Sequence, residues 1–186
     1  MRIIGGRHRG RAIRAAGSGG VRPTADRVRQ ALFNILEHGP EWPALDGAAV
    51  VDVFAGTGAF GLEALSRGAA HATFIDSNAD ALLAIRRNAA SMGEARAITD
   101  LRLDATRLPP PRSAVAPSVV AFLDPPYESG LALPALQGLS TRGWLADDAV
   151  AIVEVGAREP FQPPLHHIVV DERVYGAARL IFVRHA

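Results

Sequence analysis

Cysteine and lysine are both missing from the 186 residues. Without cysteine there is no disulfide, no cysteine-ligated zinc or iron–sulfur centre and no thiol nucleophile, which fits a reducing cytosol. The P-loop pattern G-x-x-x-x-G-K-[ST] is absent too, so nucleotide hydrolysis has no support. Long apolar runs are also lacking. The longest reach about five residues, far short of a membrane span, and the start MRIIGGRHRG has no signal-peptide stretch. A soluble, cytoplasmic chain is therefore expected. What is present suffices for one domain: 48% hydrophobic and 21% charged residues allow a real core.

The formal charge of +1 conceals an asymmetry, because all 20 basic residues are arginine. Residues 1–30 hold eight of them against Asp26 alone, a balance of +7, and the remainder carries 12 arginines against 18 acids, −6. A basic arm on a mildly acidic body points to a polyanion gripped by the arm and a separate chemistry site in the body. A solvated terminus with an arginine bias is the plainer alternative.

Residues 1–16 are predicted to form a short hairpin, with Ile3-Ile4 and Ala12-Ile13 flanking a Gly- and Arg-rich turn. Gly17-Ser18-Gly19-Gly20 follows as a connector. Residues 1–21 are thus read as an arm and 22–186 as the main domain. Thr24 is the expected N-cap of a helix whose apolar stripe is Val28, Ala31, Leu32, Ile35 and Leu36. From Leu45 strands and helices alternate, and four apolar runs end in acid, at Asp52, Asp76, Asp104 and Asp124. Helices are expected near 59–67, 79–92 and 131–140, a fifth strand at 149–155, and a closing antiparallel hairpin around Tyr175-Gly176. Prolines at 109–111 and 117 leave a loop before the fourth strand. The alternation implies a mostly parallel, doubly wound α/β sheet made mixed by the final hairpin.

In such a sheet ligands gather beyond the carboxyl ends of the strands, so the four aspartates should ring one crevice. Each alone has a dull explanation as a turn or cap residue. Gly56-Thr57-Gly58-Ala59-Phe60-Gly61 matches G-x-G-x-x-G after a strand, and Asp76 lies 20 residues beyond Gly56, the offset of a carboxylate on ribose hydroxyls. Charge selects among adenosine cofactors: Asp52 would repel a pyrophosphate at the turn, whereas S-adenosylmethionine brings an ammonium and a sulfonium. Asp52 is assigned to the methionine amino group, by contact or through water, Asp76 to the ribose, and Asp104 with Ala105 to the adenine edge. Phe54, Ala55, Gly56, Thr57, Gly58 and Ser77 complete the expected cofactor set.

Asp124-Pro125-Pro126-Tyr127 closes the fourth strand. It could be a simple chain stop, yet it has a chemical use beside a cofactor crevice. An exocyclic base amine is a poor nucleophile, its lone pair being delocalised into the ring. Hydrogen bonds accepted by the Asp124 carboxylate and the Pro125 carbonyl would hold such an amine in line with a methyl group and stabilise the developing charge. Pro126 stiffens the loop, and Tyr127 can stack on a flipped base.

Arg2-Ile3-Ile4-Gly5-Gly6, the stretch Arg22-Pro23-Thr24 through Leu36, Asp52-Val53-Phe54-Ala55-Gly56-Thr57-Gly58, Gly61 through Ala69 and Asp124-Pro125-Pro126-Tyr127 together resemble the bacterial small-subunit (16S) ribosomal RNA guanine-N2 methyltransferases. The resemblance reaches Val174-Tyr175-Gly176, nearly the whole chain. It implies a Rossmann-like class I methyltransferase fold with a small N-terminal hairpin arm, S-adenosylmethionine as cofactor, and methyl transfer to the 2-amino group of a guanine in ribosomal RNA within an assembling small subunit. Arg7, Arg9, Arg11 and Arg14 are expected on RNA phosphates, with Arg22 and Thr24 bordering the cleft; Arg22 serves equally well as a helix-start partner of Asp26. A monomer without metal is expected, since His166 and His167 should point to opposite faces of a strand. A DNA amino-methyltransferase acting on adenine N6 or cytosine N4, and a non-catalytic RNA-binding module, remain as alternatives.

Overall fold

The computed structural model describes residues 1–15, 23–39 and 41–185, and no side chain of residues 23–25. Arg22 and the Thr24 side chain, two of the expected substrate contacts, lie outside the described residues.

Among the described residues seven strands form one sheet: β1 (Ala49–Val53), β2 (His71–Asp76), β3 (Ile98–Arg102), β4 (Ser118–Leu123), β5 (Leu145–Gly156), β6 (His167–Tyr175) and β7 (Ala178–His185). Their order is β3-β2-β1-β4-β5-β7-β6. The first five are parallel, and β7 runs antiparallel to both β5 and β6. The mixed, doubly wound α/β sheet expected from the alternation of strands and helices is the one observed. Order reverses between β1 and β4, which opens a crevice beyond their carboxyl ends.

Alternation along the strands divides the core into two layers. Val50, Phe74, Val120, Ile152 and Phe182 face one side, against the helices α1 (Pro23–His38), α2 (Ala59–Ser66) and α3 (Ala79–Met92). Val51, Ile75, Leu123, Val153 and Val183 face the other, against α4 (Ala132–Thr141) and a single 3-10 turn, Ala105–Arg107. Buried on both faces, the parallel strands read as apolar runs, which is why β1 and β4 were visible in the sequence.

Three boundaries and one buried face differ from expectation. α1 opens at Pro23, one residue ahead of the proposed Thr24 cap; proline's fixed φ and missing N–H suit the first helical position. Its buried face is Val28, Leu32, Phe33 and Leu36, with Ala31 and Ile35 only half-buried. The stripe is thus rotated toward Phe33, which stacks on Phe60 with ring centroids 5.0 Å apart. β3 stops at Arg102 because Asp104 turns the chain, accepting hydrogen bonds from the Thr106 backbone and hydroxyl at 2.9 and 2.7 Å. β5 begins at Leu145, four residues early, with its exposed start carrying Asp147 and Asp148.

The first fifteen residues form a ribbon with one bridge, Arg2 to Ala12, and it is docked rather than projecting. Ile3 and Ile13 are buried in the core. The Ile4 and Gly5 amides donate to the Glu63 carboxylate at 2.8 and 2.7 Å.

Candidate active site

The chain leaves β1 through a turn with three left-handed residues, Phe54 (φ 59), Gly56 (φ 52) and Gly58 (φ 74). A non-glycine residue held there costs on the order of 1–3 kcal/mol, and such strain clusters at functional sites. Gly61 serves packing instead: a Cβ there would lie 2.4 Å from the Phe74 ring. The turn is tied down by carboxylates. Gly56 N–H donates to Asp76 Oδ2 at 2.8 Å, Asp76 Oδ1 accepts from Asn78 N–H at 2.8 Å, and Gly61 N–H donates to Asp52 Oδ2 at 2.9 Å.

Asp52 is 2% exposed. Burial pushes its pKa up to about 8, against the lowering effect of the Gly61 hydrogen bond; the nearby Asp124 and Asp76 carboxylates raise it further and Arg29 lowers it. Asp104 behaves oppositely. Exposed at the crevice, it is held below the ordinary carboxylate range by its Thr106 hydrogen bonds.

An open cleft of about 1210 Å³ joins the tips of β1, β2, β4 and the 105–107 turn. Phe54, Asp76, Ser77, Asp104 and Ala105 line one part of it, and Asp124, Pro125, Pro126 and Tyr127 another. A smaller recess of about 160 Å³ is walled by Asp52, Phe54, Ala55, Gly56 and Thr57, and it shares Asp124 with the large cleft. Every residue expected at the cofactor except Gly58 therefore borders one of two adjoining spaces. Gly58 instead packs beneath, where a Cβ would meet Ile85 at 2.8 Å.

The arginines of the ribbon lie elsewhere. Arg7 pairs with Glu94 at 2.7 Å, and Arg11 donates to the Ser91 carbonyl at 3.0 Å. Arg11 and Arg14 line a separate basic hollow of about 760 Å³ on α3, together with Arg87. Arg9 is exposed. None of the four borders the acidic cleft. Buried Asn88 links the two regions: its side chain exchanges hydrogen bonds with the Arg14 backbone at 3.0 and 2.9 Å and donates to the Thr57 carbonyl at 3.4 Å.

Sequence reasoning missed four residues. Glu154, on β5, borders both spaces and accepts a hydrogen bond from the Tyr127 hydroxyl at 2.8 Å; a lone acid in the apolar run Val150–Val155 was the available signal. Met1 borders both spaces too, its sulfur 3.7 Å from the Thr57 hydroxyl. Arg87 follows Arg86, which is committed to Asp100. Glu63 is fully buried between Arg67 at 2.8 Å and Arg29 at 3.7 Å, an arrangement that no local pattern announces.

The donor set suits a cationic ligand. Carboxylates converge from three strand ends on a space with an open glycine turn, since a Cβ at Gly56 would meet nothing nearer than 3.9 Å. Among the described residues no cluster of histidine and acid side chains could hold a metal ion, and no helix is long and apolar enough to cross a membrane.

The family described as conserved hypothetical protein 95 matches residues 1–184. The ribosomal RNA small subunit methyltransferase D of Escherichia coli (strain K12) is 40% identical over 156 residues, 83% of this chain and 74% of that protein. The protein of the same name from Haemophilus influenzae is 33% identical over 180 residues, covering 95% and 89%. A solved structure described as the methyltransferase yhhF from Escherichia coli superposes with a TM-score of 0.82 at 34% identity, covering 100% of this chain and 97% of that one.

Proposed function

Because the chain belongs to the family described as conserved hypothetical protein 95 and shares the class I methyltransferase fold, we propose that it moves a methyl group from S-adenosylmethionine to the exocyclic N2 amine of a guanine in small-subunit ribosomal RNA. The observation that carries this reading is the opening of Asp124-Pro125-Pro126-Tyr127 into the same cleft as Asp76 and Asp104. The names of the E. coli and H. influenzae relatives support the ribosomal RNA substrate.

S-adenosylmethionine, when bound, supplies a methyl carbon activated by a sulfonium, so that an N–C bond forms as the S–C bond breaks and its electron pair stays on sulfur. Asp76 and Ser77 would hold the ribose, Asp104 and Ala105 the adenine edge. Asp52 would hold the amino group, and a cation there favours its ionised form. On the other side, Asp124 and the Pro125 carbonyl accept the two hydrogens of the guanine amine. That leaves the nitrogen lone pair perpendicular to the base and stabilises the positive charge growing on nitrogen. The departing proton passes to the Asp124 carboxylate. The Tyr127 side chain is 42% exposed and offers a stacking face for an unstacked base.

Incubation with undermethylated small subunits and S-adenosylmethionine, followed by digestion to nucleosides and mass spectrometry, tests the proposal. N2-methylguanosine is expected. N6-methyladenosine or N4-methylcytidine, formed in duplex DNA and not in ribosomal RNA, would overturn it.

A further inference from the structure

We propose that Glu154 selects guanine by accepting a hydrogen bond from its ring N1–H. The proposal rests on the guanine-N2 reading above and deepens it, because it assigns specificity to a residue outside the Asp124–Tyr127 element.

Three observations carry it. The register of β4 on β5 pairs Leu123 with Val153, so Asp124, just past the end of β4, and Glu154, two residues before the end of β5, follow side by side and share one face. Both border the cleft and the smaller recess. The Tyr127 hydroxyl, 2.8 Å from Glu154 Oε1, fixes the carboxylate at one oxygen and orients the other, and a carboxylate oxygen can accept more than one donor.

Base chemistry supplies the rest. Next to its exocyclic amine, guanine presents N1–H, a donor. Adenine next to N6 and cytosine next to N4 present a ring nitrogen lone pair instead. A carboxylate beside the amine-binding Asp124 therefore attracts guanine and repels the other two, discrimination by both attraction and repulsion. Burial pushes the Glu154 pKa up, opposed by the Tyr127 hydrogen bond. A carboxylate so placed gains from any further donor that a substrate brings. The DNA-type amine substrates allowed by Asp-Pro-Pro-Tyr alone are thereby disfavoured.

The test compares wild type with Glu154→Ala, Glu154→Gln and Tyr127→Phe on undermethylated small subunits, measuring kcat, KM, the methylated nucleoside and, by calorimetry, the Kd for S-adenosylmethionine. Loss of a buried acceptor for a substrate N–H should lower kcat/KM for guanine about 100-fold in Glu154→Ala. Glu154→Gln keeps the shape and an oxygen acceptor, and should lose about 10-fold. Cofactor Kd should stay within about twofold in both, and Tyr127→Phe should lose less than Glu154→Ala. Glu154→Gln also keeps the test decisive should the alanine variant not fold. Three outcomes overturn the assignment: activity of both Glu154 variants within about twofold of wild type, a parallel loss of cofactor affinity, or an equal loss in Tyr127→Phe, which would make Glu154 only the tyrosine's anchor. If wild type itself forms a nucleoside other than N2-methylguanosine, the underlying guanine reading fails instead.

Discussion

Asp52 Oδ2 lies 2.9 Å from the Gly61 backbone nitrogen, so a buried carboxyl at the end of β1 fastens the first turn of α2. The same group faces the recess next to the glycine turn. Its protonation therefore touches stability and, on the proposed function, the binding of S-adenosylmethionine. With its pKa at about 8 in the fold and near 3.8 when exposed, the folded chain holds a proton that the unfolded chain releases. This contribution is complete below about pH 4 and is lost as pH rises toward 8. Relative to wild type, Asp52→Asn should gain stability between about pH 5 and 8, read by urea unfolding at each pH. An unchanged difference would show that Asp52 is ionised throughout.

Cofactor affinity should move the other way. A cation seated against Asp52 expels its proton, so binding of S-adenosylmethionine tightens as pH rises toward about 8. Calorimetry in buffers of different ionisation enthalpy should record proton release in wild type and none in Asp52→Asn.

Glu63 accepts the Ile4 and Gly5 amides and meets Arg29 and Arg67 while fully buried. Removing one partner of a buried network leaves the others uncompensated. Glu63→Ala should cost about 3–5 kcal/mol and release the ribbon, seen as faster hydrogen exchange at residues 3–13. A loss below about 1 kcal/mol would mean that buried Ile3 and Ile13 and the contacts of Arg7, Arg11 and Arg14 hold the ribbon without Glu63.

A Cβ at Gly61 would lie 2.4 Å from the Phe74 ring, well inside van der Waals contact. Gly61→Ala forces α2 off β2 and should cost about 1–3 kcal/mol, with weaker cofactor binding because the helix start moves with Gly56 and Thr57. Thermal melting with and without S-adenosylmethionine separates the two effects.

The ribbon arginines are expected to act unequally on RNA. Arg7 is paired with Glu94, whereas Arg9 is exposed and Arg14 lines the basic hollow with Arg87. Arg9→Glu, Arg14→Glu and Arg87→Glu should each weaken RNA binding and flatten its dependence on salt, by about 0.7–0.9 in log–log slope for every phosphate no longer neutralised. Slopes unchanged in all three variants would place the RNA elsewhere.

Much of this was legible because the core strands are short, apolar and end in acid. β1, β2 and β4 announce themselves, and helical spacing of apolar residues sets α2 and α3 within a residue or two. The acidic cleft follows from topology, since parallel strands must present their tips together. What was hidden depends on contacts between distant residues. Phe33 outranks Ile35 because it meets Phe60 across the core. Asp104 ends β3 by capping a turn with Thr106, a local device with the same residue type as a strand-end ligand. Glu94 and Ser91 hold the basic ribbon against α3, so a charge count alone could not tell a docked ribbon from a projecting arm. Glu154 stayed invisible because its significance comes from Tyr127, 27 residues away in the turn after the neighbouring strand β4.

On the proposed function the acidic strand tips hold the methyl donor while Asp124 presents an aromatic amine to it. Asp124→Ala tests it most directly, with transfer to undermethylated small subunits and calorimetric S-adenosylmethionine binding measured on the same preparation. N2-methylguanosine formation is expected to be abolished while the donor's Kd changes by no more than a few-fold. Full transfer by this variant, or a chain that ignores S-adenosylmethionine in favour of a dinucleotide, would contradict it.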